Sequence, residues 1–64
     1  MQCKINDIIR DKFGNVGKVK NLYQYNKEDI YNEDNTLVEF ECREYFDTHR
    51  VLMSEVTEII IRSV

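Results

Sequence analysis

The apolar residues of this chain are mostly β-branched. Seven Ile and six Val stand against three Leu and no Ala, and seven Phe or Tyr add aromatic rings. These residue types favour extended strands, because they pack well on a pleated surface and lose rotamer freedom in a helix. A chain of 64 residues holds one small core. The sequence therefore predicts a single all-β domain over residues 1–64 and excludes a multidomain enzyme with a deep cavity.

Alternation of apolar and polar residues locates the strands. It is clearest over 36–42, where Val38, Phe40 and Cys42 fall on one face and two glutamates on the other. We predict that the two glutamates, Glu39 and Glu41, form a solvated surface. The same reasoning predicts five strands, over residues 4–10, 16–25, 36–42, 46–53 and 56–61.

Turns and irregularities fall between and within these strands. Gly14 and Gly17 lie in the segment 11–18 and predict a turn or bulge, because glycine tolerates positive φ angles. The alternation slips at residues 21–22, which predicts a bulge in the second strand. The polar segment 26–35 is predicted to be the longest loop.

The C-terminal segment has an alternative interpretation. Leu52, Val56, Ile59 and Ile60 have the spacing of one face of an amphipathic helix. A helix over 52–62 is therefore the alternative to a break at Ser54-Glu55 followed by a last strand. Three consecutive isoleucines favour the strand.

The order of these features resembles the SH3-like small barrel. The similar segments are INDIIR at 5–10, GNVGKVKNL at 14–22, VEF at 38–40 and LMSEVTEII at 52–60. The second is similar to the glycine-valine-basic segment of KOW and related bacterial SH3-like modules, which have a glycine at the position of Asn6. The resemblance implies a five-stranded antiparallel barrel. It implies no particular activity, because such barrels have unrelated functions.

The N-terminal sequence and the cysteines indicate the compartment. Residues 1–10 contain no apolar signal-peptide core, so we expect a cytoplasmic protein without a membrane partner. Cys3 and Cys42 are expected to be buried thiols, with a disulfide or a reactive thiol as the alternative. The excess of Ile, Asn, Lys, Tyr and Phe is typical of AT-rich genomes and indicates a bacterial or phage source.

Residues suited to catalysis or metal binding are few. The single histidine, His49, shares a predicted strand face with Val51, which favours a packed histidine over a catalytic one. Cys3, Cys42 and His49 lack the spacing of a zinc site, and the loop 26–35 lacks the calcium-binding pattern. We predict no enzymatic activity, no metal site and no cofactor.

Aromatic and acidic residues near the loops point to protein binding. Large amphipathic rings beside loops are frequent interface anchors. The leading hypothesis is a non-enzymatic protein-binding module, such as a bacterial or phage accessory or inhibitor protein. Its candidate residues are Tyr25, Tyr31, Tyr45, Phe46, Glu33 and Asp34.

Nucleic-acid binding is the alternative. Residues 1–27 contain six Lys or Arg and two Asp, whereas residues 28–64 contain three Arg and ten acidic residues. Phosphates need cations and unstacked bases need aromatic faces. The candidate residues for this function are Lys18, Lys20, Tyr23 and Arg50.

Two further possibilities depend on how the strands pair. Antiparallel pairing of strands 16–25 and 36–42 would set Lys18 and Lys20 opposite Glu39 and Glu41, which would neutralise the charges within one surface. The second possibility is a homodimer formed through an exposed edge strand.

Overall fold

The computed structural model describes residues 1–25, 33–42 and 47–64. Within them, five antiparallel strands form one sheet: β1 (Ile8–Asp11), β2 (Val16–Gln24), β3 (Thr36–Cys42), β4 (Asp47–Leu52) and β5 (Val56–Ile61). Their order across the sheet is β4, β3, β2, β1, β5. The all-β, five-stranded antiparallel prediction is confirmed. In the described part of the chain the sheet stays open, with β4 and β5 as its two edges.

The strand boundaries follow the sequence pattern closely. β3 and β5 have their predicted bounds, and β2 and β4 each end one residue early. β1 covers only the second half of the predicted 4–10 segment, because a turn precedes it. The loop predicted at 26–35 ends in a 3-10 turn at Glu33–Asn35, and its residues 26–32 lie outside the described residues.

The alternative of a C-terminal helix over 52–62 is wrong. A 3-10 turn, Met53–Glu55, separates β4 from β5. The Leu52 backbone N–H donates to the Glu55 carboxylate over 2.8 Å, which stabilises the tight turn. Val56 is then buried, and the strand it opens pairs with β1. The predicted break at Ser54-Glu55 is this turn.

The core lies on one side of the sheet. Val38, Phe40 and Cys42 of β3 are buried there, as their alternation predicted. The remaining buried apolar residues are Cys3, Ile9, Val19, Val51, Met53 and Val56. Cys3 and Cys42 are both buried thiols, as expected. The Met53 sulfur lies 3.5 Å from the Cys3 sulfur, so the N-terminal segment packs against the turn before β5.

A shift of register in β2 confirms the predicted bulge. Val19 pairs with Phe40 and Asn21 pairs with Glu39, so Lys20 has no directly opposed residue on β3. The extra residue changes the phase of the strand, and every side chain after it is offset by one position.

Two left-handed residues shape the turns on either side of β1. Gly14 has φ +86° in the β1–β2 turn, where the buried carboxylate of Asp11 accepts the backbone N–H groups of Phe13 and Asn15. Asn6 has φ +77°. Asparagine tolerates this conformation better than most other non-glycine residues.

Candidate protein-binding face

Strand pairing defines a grid on the side of β2, β3 and β4 that faces away from the core. Directly opposed residues of antiparallel strands project from the same face of a sheet. The three rows across β2, β3 and β4 are Lys18, Glu41 and Thr48; Asn21, Glu39 and Arg50; and Tyr23, Leu37 and Leu52. We call this surface, and its continuation over β1 and β5, the outer face.

Glu39 is the centre of the middle row. Its carboxylate accepts hydrogen bonds from Asn21 Nδ2 at 2.8 Å and Arg50 Nε at 2.9 Å, and its side chain is only 13% exposed. The pKa of Glu39 is lowered, chiefly by the hydrogen bond from Asn21; burial opposes this, and the hydrogen bonds from Arg50 and Tyr23 and the charge of Arg50 reinforce it. Glu39 is therefore an ionised structural acceptor. The prediction of a solvated Glu39 is wrong, because β2 and β4 side chains cover it.

The cations of this surface are matched by carboxylates. Lys18 lies directly opposite Glu41, as predicted, whereas Arg50 rather than Lys20 pairs with Glu39. The bulge accounts for the difference, because it removes Lys20 from the register. The structure thus places three of the four candidate nucleic-acid residues on one face, but the two cations among them each oppose an acid.

The third row makes one end of the outer face aromatic and apolar. Tyr23 is 46% exposed and lies beside the half-buried Leu37 and Leu52. Tyr25, just beyond β2, is 67% exposed, and its N–H donates to the Asn35 carbonyl over 2.8 Å. Pairing therefore continues past the strand, and residues two apart share a face. We call Tyr23, Tyr25, Leu37 and Leu52 the aromatic end.

The other candidate residues for protein binding are distributed unevenly. Asp34 is exposed and accepts a hydrogen bond from the Ser54 hydroxyl. Glu33 begins the 3-10 turn before β3. Tyr31, Tyr45 and Phe46 lie outside the described residues.

Sequence reasoning missed three exposed or half-exposed apolar residues. Leu37 and Leu52 belong to the aromatic end, and only the pairing of three strands brings them beside Tyr23. Phe13 is 68% exposed in the β1–β2 turn, with the Lys12 ammonium 5.1 Å from its ring centroid. An aromatic residue immediately before the glycine of a predicted turn was the available signal for Phe13.

His49 has a structural environment. Its ring is half-buried and stacks on Phe40, with 5.6 Å between the ring centroids. This agrees with a packed strand histidine. Among the described residues, no group of three or more His, Cys, Asp and Glu could hold a metal ion.

Comparison of the chain with protein-family models, with curated proteins and with solved structures gives no match. In the described ranges, no helix is long and apolar enough to cross a membrane.

Proposed function

We propose that this chain is a small, non-enzymatic protein-binding module that contacts its partner through the aromatic end of the outer face. The observation that carries the proposal is the pair of exposed tyrosines, Tyr23 and Tyr25, beside the half-buried Leu37 and Leu52 on paired strands. A bacterial or phage accessory or inhibitor protein would use such a module.

The residue types suit an interface anchor. Tyrosine buries a large ring on binding while fixing only two side-chain torsions, and it is enriched among residues that dominate binding energy. β2 and β3 pair continuously from Asn21 to Gln24, so strand hydrogen bonds hold these rings before a partner arrives. Such preorganisation lowers the entropic cost of binding.

The charges favour a protein over a nucleic acid. Binding to a nucleic acid depends on protein cations that contact its phosphates and displace the counterions condensed there. Lys18 and Arg50 each lie opposite a carboxylate instead. The net charge of −3 also disfavours a polyanion. Asp34, exposed in the turn that precedes β3, suits a partner with a basic residue beside an apolar contact.

The architecture supports the SH3-like resemblance that accompanies this proposal. The first four strands follow one another as antiparallel neighbours, and the fifth returns to pair with β1 after a 3-10 turn. A glycine-containing turn joins β1 to β2, as in the pattern that the resemblance rests on.

The test compares variants in affinity purification from the organism that encodes the chain. We expect Tyr23→Ala with Tyr25→Ala to lower partner affinity at least about tenfold, because truncating an interfacial hot-spot residue costs about 1–2 kcal/mol or more. Phe13→Ala is the matched control, since it removes an exposed ring from the β1–β2 turn at the other end of β2. Tyr23→Phe tests the hydroxyl group alone.

Two outcomes would contradict the proposal. The double variant could retain every protein that the wild type retains. Alternatively, the wild type could bind single-stranded RNA or DNA oligomers with an affinity that falls steeply with salt, which would favour the nucleic-acid alternative.

A further inference from the structure

The outer face continues beyond β2 onto β1 and β5, and there exposed apolar residues lie beside charged ones. Register places Lys18, Ile8 and Ile61 in one row and Val16, Arg10 and Glu58 in the next. Ile61 is 62% exposed, Ile60 40% and Val16 37%. We call Ile8, Ile61 and Val16 the isoleucine patch. It occupies the opposite half of the outer face from the aromatic end.

The edge of β5 is unsuited to regular strand addition. The pairing of β5 with β1 shifts register twice, between Ile8 and Ile9 and between Arg10 and Asp11. Ile60 is an extra residue at the first shift, since Ile59 and Ile61 pair with consecutive residues of β1. Such irregularities protect edge strands from pairing with other chains. The exposed isoleucines are therefore more accessible through the face of the sheet than through its edge.

The charges beside the patch are self-complementary. Arg10 Nη1 donates to Glu58 Oε2, and each side chain remains about half exposed, at 48% and 50%. A twofold axis brings the same patch of two subunits together, so the patch must complement itself. One cation beside one anion meets this requirement, because rotation sets each charge against its opposite.

We propose that the isoleucine patch is the contact between two copies of this chain, related by a twofold axis. Ile8 and Ile61 form its apolar centre, and Arg10 and Glu58 of each copy face Glu58 and Arg10 of the other. Two copies of net charge −3 repel each other, and the Arg10–Glu58 pair adds no net charge to this contact. The interface leaves the aromatic end uncovered, so the dimer is independent of the proposed function.

The first test measures molar mass by light scattering and sedimentation over a concentration series of the full chain. We expect the wild type to be dimeric at high micromolar concentration and Ile61→Lys to be monomeric. Tyr25→Lys is the control, because it introduces the same charge at a similarly exposed residue of the aromatic end, and this variant should remain dimeric. A wild type that stays monomeric at millimolar concentration would overturn the proposal, as would a dimer that Ile61→Lys leaves intact.

The second test exchanges the charges and separates dimerisation from folding. Arg10→Glu and Glu58→Arg each place like charges at both cross-subunit contacts, so each variant alone should dimerise more weakly than the wild type. In a heterodimer of the two variants, both cross-subunit contacts again join one glutamate to one arginine. The repulsion within each chain is the same before and after mixing. Native mass spectrometry of an equimolar mixture should show the heterodimer well above the 1:2:1 ratio that random pairing gives. A heterodimer at or below twice each homodimer would rule out this interface.

Discussion

Replacement of Gly17 with alanine is expected to destabilise the fold by about 3 kcal/mol or more, since overpacking a core costs about 1–3 kcal/mol and more against rigid neighbours. Gly17 is buried in β2 and pairs with Ile9 on one side and Cys42 on the other. An added Cβ would lie 2.3 Å from the Glu41 carbonyl oxygen and 2.8 Å from the Phe40 ring. The backbone oxygen cannot retreat without opening the β2–β3 pairing.

The effect should be large relative to total stability. A domain of this length has a free energy of unfolding of about 3–10 kcal/mol, at about 0.05–0.15 kcal/mol per residue. Gly17→Ala should therefore remove between about a third and all of the free energy of unfolding. Circular dichroism with urea titration measures this directly.

Gly14 provides the matched control for this substitution. An added Cβ there meets no atom within 4 Å, but φ is +86°, so alanine should cost only about 1–2 kcal/mol. Asparagine should recover part of that loss at position 14 and none at position 17. If Gly17→Ala were as stable as Gly14→Ala, the close approach of β2 and β3 would not be needed for stability.

The prediction of a turn or bulge is confirmed at Gly14 and wrong at Gly17, which lies within β2 without a positive φ and is needed for the close approach of β3. Sequence reasoning succeeds better for the strands. Local alternation determines which β3 residues are buried, so the bounds of 36–42 and 56–61 could be predicted without a partner strand. The predicted first strand was too long for a local reason as well. Asn6 adopts φ +77° and the Asp7 N–H donates to the Lys4 carbonyl, so an apolar segment turns where its composition favours extension.

The candidate site depended on register, which no local pattern contains. The β2 bulge removes Lys20 from opposition to β3 and brings Asn21 to Glu39. Arg50 reaches the same carboxylate from β4, a strand whose alignment follows from the whole sheet. A shift of one residue would turn every side chain to the other face. The aromatic end could therefore be assembled only from the structure, although Tyr23 and Tyr25 were visible in the sequence.

Replacement of Asp7 with asparagine is the second substitution expected to have a large effect. Asp7 is fully buried, and its carboxylate accepts the Lys4 N–H at 2.8 Å and the Ser63 N–H at 2.6 Å. It thereby joins the turn before β1 to the segment after β5. An asparagine amide offers one accepting oxygen, and its NH₂ group would face an N–H donor.

The expected loss is about 3 kcal/mol, because a hydrogen bond to a charged group contributes about 1.5–3 kcal/mol and a buried donor would be left without an acceptor. Asp47→Asn makes the same chemical change at an exposed position of β4 and should alter stability by less than about 0.5 kcal/mol. Urea titration of both variants beside the wild type measures the difference. Equal stability of the two variants would show that Asp7 does not hold the C-terminal segment.

The pH dependence identifies the ionised form of Asp7 as the stabilising one. Burial raises the pKa of Asp7. This effect is smaller than the combined lowering by the backbone N–H groups of Ser63 and Lys4 and by the charges of Arg62 and Lys4, so the pKa of Asp7 is lowered overall. Stability from a lowered pKa is present above the unfolded value, about 3.9 for Asp, and is lost as pH falls through the folded value.

The pKa values of Glu39 and Glu55 are lowered too, so acid destabilises the wild type through several carboxylates. Those other groups titrate equally in Asp7→Asn, and the stability gap between wild type and variant should therefore narrow below about pH 4. A gap that stayed constant down to about pH 2 would mean that packing of the side chain, rather than its charge, joins the two ends of the chain.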